Sequence, residues 1–278
     1  MDPLVTTAWL AAELGASDLR VVDCTWFLPD EGRDARAEHG AAHIPGAVFI
    51  DLAQLADADD PRPMMLPRPE QAADQLGRLG LGSNDRLVLY DDSPHHTAAR
   101  GWAALRSYGF DRVALLDGGL AKWRAEGRPL TDEATTPEPA HANPRGFGHG
   151  IVTQAQVADA LATGTAQVVD ARSPSRFEGQ EPEPRPGVVP GHMPGATNLH
   201  YARLFATDGT WLRDDALAAA FAETGIDPAR PIIATCGSGV TASVTAFAAH
   251  LLGHEAQVYD GSWAEWGADP ASPKATGA

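Results

Sequence analysis

Four short segments of this chain occur twice in the same order, and a chain that repeats itself at this scale is built from two copies of one folding unit. Residues 19–27 (LRVVDCTWF) match 166–174 (AQVVDARSP), and 43–47 (HIPGA) match 192–196 (HMPGA). Residues 86–94 (RLVLYDDSP) pair with 231–239 (PIIATCGSG), and 115–123 (LLDGGLAKW) with 258–266 (VYDGSWAEW). The spacing between partners drifts only from 149 (His43 to His192) to 143 (Trp123 to Trp266), so the copies differ by small loop changes. Proline, glycine and small polar residues crowd 131–147, which reads as a linker between a first domain, 1–130, and a second, 148–278.

Within each copy, short β-branched and apolar runs alternate with stretches of helical spacing. Val21 with Val22, 87–90 and 113–116 read as buried strands of the first copy; Val168 with Val169, 232–235 and 257–259 repeat them in the second. Residues 99–108 and 120–126 read as helices. From about Thr241 to Leu252, Val244, Phe247, Ala248, Leu251 and Leu252 fall on one helical face, stopped by Gly253. This alternation predicts an α/β fold in which each copy is a parallel sheet with helices on both faces. Ligands of such sheets bind beyond the carboxyl ends of the strands.

The net charge of −16, from 37 acidic and 21 basic residues, argues against nucleic acid or an anionic membrane as a partner. An anionic substrate must therefore be gathered by a few local arginines. Two cysteines, Cys24 and Cys236, are too few for a disulfide framework. The N-terminus opens with an acid and lacks the basic and apolar regions of a signal peptide, and no run approaches the ~20 apolar residues of a membrane span. A soluble, cytoplasmic protein is the expectation.

Cys236 stands where a ligand should bind, at the end of the strand PIIAT and before GSGV and a helix. Gly237 and Gly239 permit the tight turn this requires. Converging amides at a helix N-terminus form an anion nest, and a thiolate placed there is favoured over the thiol. Ser238 and Thr241 carry hydroxyls that can donate to the thiolate or to a substrate carbonyl, or else serve the loop and cap the helix. The duplication supplies an internal control: Asp91 occupies the place of Cys236 in the first copy, with Pro94 aligned to Gly239. A carboxylate is no sulfur nucleophile, so the first copy reads as structural and the second as catalytic.

These residues resemble the tandem-domain rhodanese family of sulfurtransferases, and CGSGVTA resembles the active loop of its 3-mercaptopyruvate branch. VVDC and HIPG in the first copy, and VVDAR, RFEG, EPEPRPG, GHMPGA and YDGSWAEW in the second, extend the likeness over nearly the whole chain. The resemblance implies two tandem rhodanese-like domains, an inactive first and an active second. It further implies that Cys236 takes a sulfur atom as a persulfide and passes it to a thiol, thioredoxin or cyanide, with no metal or organic cofactor. Gly237, Gly239 and Val240 then contribute the loop amides, while Arg176 and Arg185 match the family's substrate arginines. A guanidinium grips a carboxylate in bidentate fashion, which suits a keto acid. The plainer alternative for these arginines is a salt bridge to Glu178, Glu181 or Glu183.

Other conspicuous residues read as structural. Asp23 and Asp170, His43 and His192, and Trp123 and Trp266 recur in both copies, and only one copy is read as active. Cys24 aligns with Ala171 and reads as a small buried thiol. Arg172 reads as a partner of Asp170, and His149 as linker. Residues 26–29 (WFLP) resemble the WYLP stretch with which the family covers its pocket. The chain departs from the vertebrate members at the MLP turn, where Met64 stands in place of a histidine and Ala53 in place of an upstream aspartate, so a serine–histidine–aspartate relay through Ser238 is not expected.

Three competing functions remain at this point. Thiosulfate sulfurtransferases resemble CRKGVT, with two loop cations that this chain lacks. Cysteine phosphatases need C-x5-R, and the sixth residue beyond Cys236 is Ala242. The third is a noncatalytic sulfur-binding or regulatory module.

Overall fold

The computed structural model describes residues 1–143 and 148–277. The first copy holds strands β1 (Leu4–Val5), β2 (Leu19–Asp23), β3 (Ala47–Phe49), β4 (Arg86–Tyr90) and β5 (Val113–Leu116). Helices α1 (Thr7–Glu13), α2 (Ala35–Ala41), α3 (Pro69–Arg78), α4 (Ala98–Ser107) and α5 (Gly119–Ala125) alternate with them. The second copy holds β6 (Ile151–Val152), β7 (Gln167–Asp170), β8 (Thr197–Asn198), β9 (Ile232–Thr235) and β10 (Ala256–Tyr259). Its helices are α6 (Gln154–Thr163), α7 (Pro174–Phe177), α8 (Asp214–Ala222), α9 (Val240–Leu251) and α10 (Ser262–Trp266). Both sheets are parallel and have the same order, β1-β5-β4-β2-β3 and β6-β10-β9-β7-β8. The expected α/β class and the duplicated parallel sheets are both present.

The middles of the central strands are apolar, with Val21 and Val22 in β2, 87–89 in β4 and 232–234 in β9, because each sheet is covered on both faces. In the first copy, Val21, Val88, Tyr90, Ala114 and Leu116 pack with Leu10 of α1 and with Leu120 and Trp123 of α5. Leu89, one residue out of phase, faces the opposite side and meets α4 at Gly101. A Cβ on Gly101 would lie 2.9 Å from Leu89 Cδ2 and 2.7 Å from Cys24 Sγ. Cys24 is fully buried at that crossing, and burial raises its pKa well above the ordinary thiol value. It is a packing residue, as read. Val168, Ile233, Tyr259, Trp263 and Trp266 build the corresponding core of the second copy.

The paired motifs do paired work. His43 and His192 each form an isolated antiparallel bridge, to Thr131 and Ala275 respectively. Trp123 and Trp266 both donate an indole N–H to a proline carbonyl at 2.8 Å, of Pro129 and Pro273.

Two compact units result. One comprises 1–58, 66–149 and 207–211, and the other 59–65, 150–206 and 212–278. Each sequence half thus lends a short segment to the opposite unit. Part of the 131–147 stretch is fastened to the first unit: Ala140 donates to Gly77 O at 3.0 Å, and Asn143 N–H to Ser83 Oγ at 2.7 Å. Residues 144–147 of that stretch lie outside the described residues.

Candidate active site

Cys236 follows β9 directly, and α9 begins four residues later at Val240. Gly239, the N-cap of α9, has φ 80°, a left-handed conformation that glycine adopts without strain. Residues after β10 hold the loop. Cys236 N–H donates to Ser262 Oγ at 3.2 Å, Trp263 N–H to Cys236 O at 2.9 Å, and Ala264 N–H to Gly237 O at 2.9 Å. Among the described residues, no backbone carbonyl receives the amides of residues 237–242; the first such bond runs from Ser243 N–H to Gly239 O at 3.3 Å. Those uncommitted N–H groups stand beside Cys236 at the positive end of α9. Cys236 and Ser238 are buried, at 2% and 8% exposure.

Neither the Ser238 nor the Thr241 hydroxyl is engaged by another described residue, and α9 has no side-chain cap. The capping alternative for these two residues is therefore not the arrangement observed.

Two buried carboxylates organise the arginines. Arg172 grips both oxygens of Asp170, its Nη2 at 2.6 Å, and donates from Nη1 to Glu183 at 2.8 Å and from Nη2 to Gly191 O at 2.7 Å. Its guanidinium lies 4.7 Å from the centre of the Trp263 ring. Glu183 spends its second oxygen on Arg176 Nη2, at 2.5 Å. Arg176 rests against the active loop: a Cβ on Gly237 would lie 3.3 Å from Nη2. Its buried Nε has no hydrogen-bond partner among the described residues, so this arginine is paired at one edge and open at another. Burial lowers the Arg185 pKa, the Cys236 charge raises it, Arg176 lowers it and Glu183 raises it. Arg185 is thereby within electrostatic reach of both Cys236 and Arg176. Glu183 as the bridge between Arg172 and Arg176, and Ser262 behind Cys236, were not singled out by sequence. Among the described residues, no group of three or more His, Cys, Asp or Glu side chains is placed to hold a metal ion.

The first copy presents the same strand end with a different filling. Asp91 follows β4; its Oδ1 accepts from Ser93 N–H at 2.9 Å and its Oδ2 from Ala98 N–H at 2.7 Å. Its own carboxyl group thus takes the amides that an exogenous anion would need. A cavity of about 380 Å³ adjoins it, lined in part by Arg33, Pro94, His96 and Trp211. The alignment of Pro94 with Gly239 needs correction. Helix α4 starts seven residues after Asp91, so its N-cap is Thr97, and Pro94 lies within a longer loop.

Burial raises the Asp91 pKa from 3.8 to about 7, against the lowering effect of the two amides. The fold therefore favours the protonated form. The stability linked to this proton is fully present below about pH 4 and is lost as pH rises through 7. Asp91→Asn removes that titration. Its melting temperature relative to the parent chain should become more favourable between pH 5 and 8, by the equivalent of at most ~3 kcal/mol; a constant difference across that range would contradict this linkage.

The rhodanese-like domain model matches twice, at residues 6–126 and 153–269. The chain belongs to the rhodanese family. The chain is 40% identical over 270 residues to 3-mercaptopyruvate sulfurtransferase of Homo sapiens, covering 95% of this chain and 91% of that protein. It is 38% identical over 271 residues to thiosulfate sulfurtransferase of Cricetulus griseus, with 95% and 91% covered. Its fold superposes with TM-score 0.85 on the crystal structure of SseA from Escherichia coli, described as a 3-mercaptopyruvate sulfotransferase, at 35% identity and covering 95% and 99% of the two chains. No helix among the described residues is long and apolar enough to cross a membrane.

Proposed function

We propose that this chain is a sulfurtransferase that moves a sulfur atom from 3-mercaptopyruvate to a thiol, thioredoxin or cyanide through a persulfide on Cys236. The second copy, 148–278, carries the reaction; the first, 1–130, has Asp91 in place of the nucleophile. The Cys236 thiolate attacks the donor sulfur, and an S–S bond forms as the donor C–S bond breaks. The electron pair of that bond moves into the keto acid, which leaves as the enolate of pyruvate. The terminal sulfur remains on Cys236, with its charge facing the amides of Gly237, Ser238, Gly239 and Val240. An acceptor thiolate or cyanide then attacks the terminal sulfur and returns the Cys236 thiolate. Arg176 and Arg185 receive the donor carboxylate, and the Ser238 and Thr241 hydroxyls donate to the donor carbonyl or the thiolate. Met64 has no proton to give, so the enolate takes its proton from water or from another group.

The observation that carries the donor assignment is the uncharged loop. Gly237 brings no cation of its own and leaves room for Arg176 beside it. A monoanionic keto acid needs one guanidinium at its far end, whereas the thiosulfate dianion is best met by positive charge within the loop itself. The kcat/KM for 3-mercaptopyruvate should exceed that for thiosulfate by ~10-fold or more, the effect of one charged hydrogen bond. A preference for thiosulfate would overturn the donor assignment and leave the persulfide route standing.

A further inference from the structure

Ser262 occupies a backbone conformation that its counterpart in the first copy meets with glycine. The motif 115–123 (LLDGGLAKW) aligns Gly119 with Ser262 of 258–266 (VYDGSWAEW). Both have positive φ, 56° at Gly119 and 50° at Ser262. The two turns also close onto equivalent places: Leu120 N–H donates to Asp91 O at 2.9 Å, as Trp263 N–H does to Cys236 O. In the first copy glycine is required, since a Cβ at residue 119 would lie 2.5 Å from Asp91 O. In the second copy a side chain is accommodated, at a cost of ~1–2 kcal/mol for a non-glycine residue in this region.

The hydroxyl gained for that cost has one proton and spends it on Tyr259 O, at 2.8 Å. Only its lone pairs then face Cys236, so it accepts the Cys236 N–H and cannot donate to the sulfur. Residues 262, 263 and 264 thereby hold Cys236 N, Cys236 O and Gly237 O in turn. The peptide groups on both sides of Cys236 are fixed, while no described backbone carbonyl takes the amides of 237–242. Ser262 is itself completely buried, so it offers nothing to solvent or to an incoming donor.

We propose that Ser262 is a positioning residue of the active site: the active copy carries strain at this turn in exchange for a hydroxyl that locks the peptide of its nucleophile. The proposal rests on the reading of Cys236 as that nucleophile. The decisive variant is Ser262→Gly, which restores the residue found at the equivalent turn and relieves the strain. Ser262→Ala keeps the Cβ and removes only the hydroxyl.

Steady-state kinetics with 3-mercaptopyruvate, melting temperature, and the rate of Cys236 alkylation by iodoacetamide at fixed pH are measured on all three chains. The expected result is a ~10-fold loss of kcat with KM within about twofold for both variants, since misplacement of a reacting group costs rate. Cys236 alkylation slows in parallel, while Ser262→Gly melts no lower than the parent. A Ser262→Gly chain with parental kcat and alkylation rate would overturn the proposal, as would a loss of activity that simply follows melting temperature across the variants. Alkylation needs no sulfur donor. Absence of transfer by the parent chain with a normal alkylation difference would therefore overturn the functional reading and leave the positioning role intact.

Discussion

Replacing Cys236 by serine will reduce sulfur transfer from 3-mercaptopyruvate by ~10³-fold or more, with the melting temperature nearly unchanged. Cys236 is buried at the strand end before α9, whose first amides a serine oxygen can also accept, whereas Cys24 fills the α4 crossing at Gly101. A serine hydroxyl fits the same volume, but the nucleophile of this route must be a thiolate, and an alcohol is not ionised near neutral pH. The matching control is Cys24→Ser. It should leave kcat near the parental value while lowering stability, because it places a hydroxyl in a fully buried apolar contact. A noncatalytic sulfur-binding module predicts the opposite for Cys236→Ser, with transfer unaltered; kinetics on the two variants side by side separates the readings.

The second large effect concerns stability. Arg172→Met will destabilise the second unit by ~3–5 kcal/mol, the usual consequence of removing one partner from a buried ion cluster. Arg172, Asp170 and Glu183 have side-chain exposures of 1%, 0% and 3%, so water cannot replace the lost partner. Asp170 would be left without its main charge partner, while Glu183 would keep its hydrogen bond from Arg176 and the nearby charge of Arg185. At roughly 2–4 °C per kcal/mol for a domain of this size, a fall of about 10 °C in the transition of that unit is expected. Calorimetry should show a smaller loss for Asp170→Asn combined with Arg172→Met, since the uncompensated carboxylate is then gone. Equal losses for the single and double variants would show that the ion cluster does not account for the stability.

Much of the fold was legible because the chain carries its own control. The matched segments place β2, β4, β5, β7, β9 and β10, and α9 was read within one residue of its observed limits. What escaped has physical reasons. Strands β1, β3, β6 and β8 have two or three residues each, too few for any periodicity to register. Residues 59–65 and 207–211 join the opposite unit through tertiary contacts that local pattern does not encode. Pro94 was matched to Gly239 because position was counted from Asp91 and Cys236, whereas the helix after Asp91 starts three residues later than the one after Cys236.

The candidate site divides along the same line. Cys236 and its loop were visible because strand, glycine and helix signals converge on them. Arg176 was read either as a substrate arginine or as a salt-bridge partner of Glu178, Glu181 or Glu183, and it bridges to Glu183 while its buried Nε has no partner among the described residues. Ser262 lay hidden inside a motif shared by both copies. The signal was the difference within it, a serine aligned with a glycine at a positive-φ turn, and its meaning emerged only once the turn was seen to close on Cys236.

The most direct measurement is the mass of the peptide containing Cys236 after brief incubation of the chain with 3-mercaptopyruvate in the absence of an acceptor. A gain of about 32 Da, one sulfur atom, on that peptide and not on the peptide containing Cys24 is the predicted result, and it should disappear when a thiol acceptor is added. An unmodified Cys236 peptide, recovered from a chain that is producing pyruvate, would contradict the persulfide route.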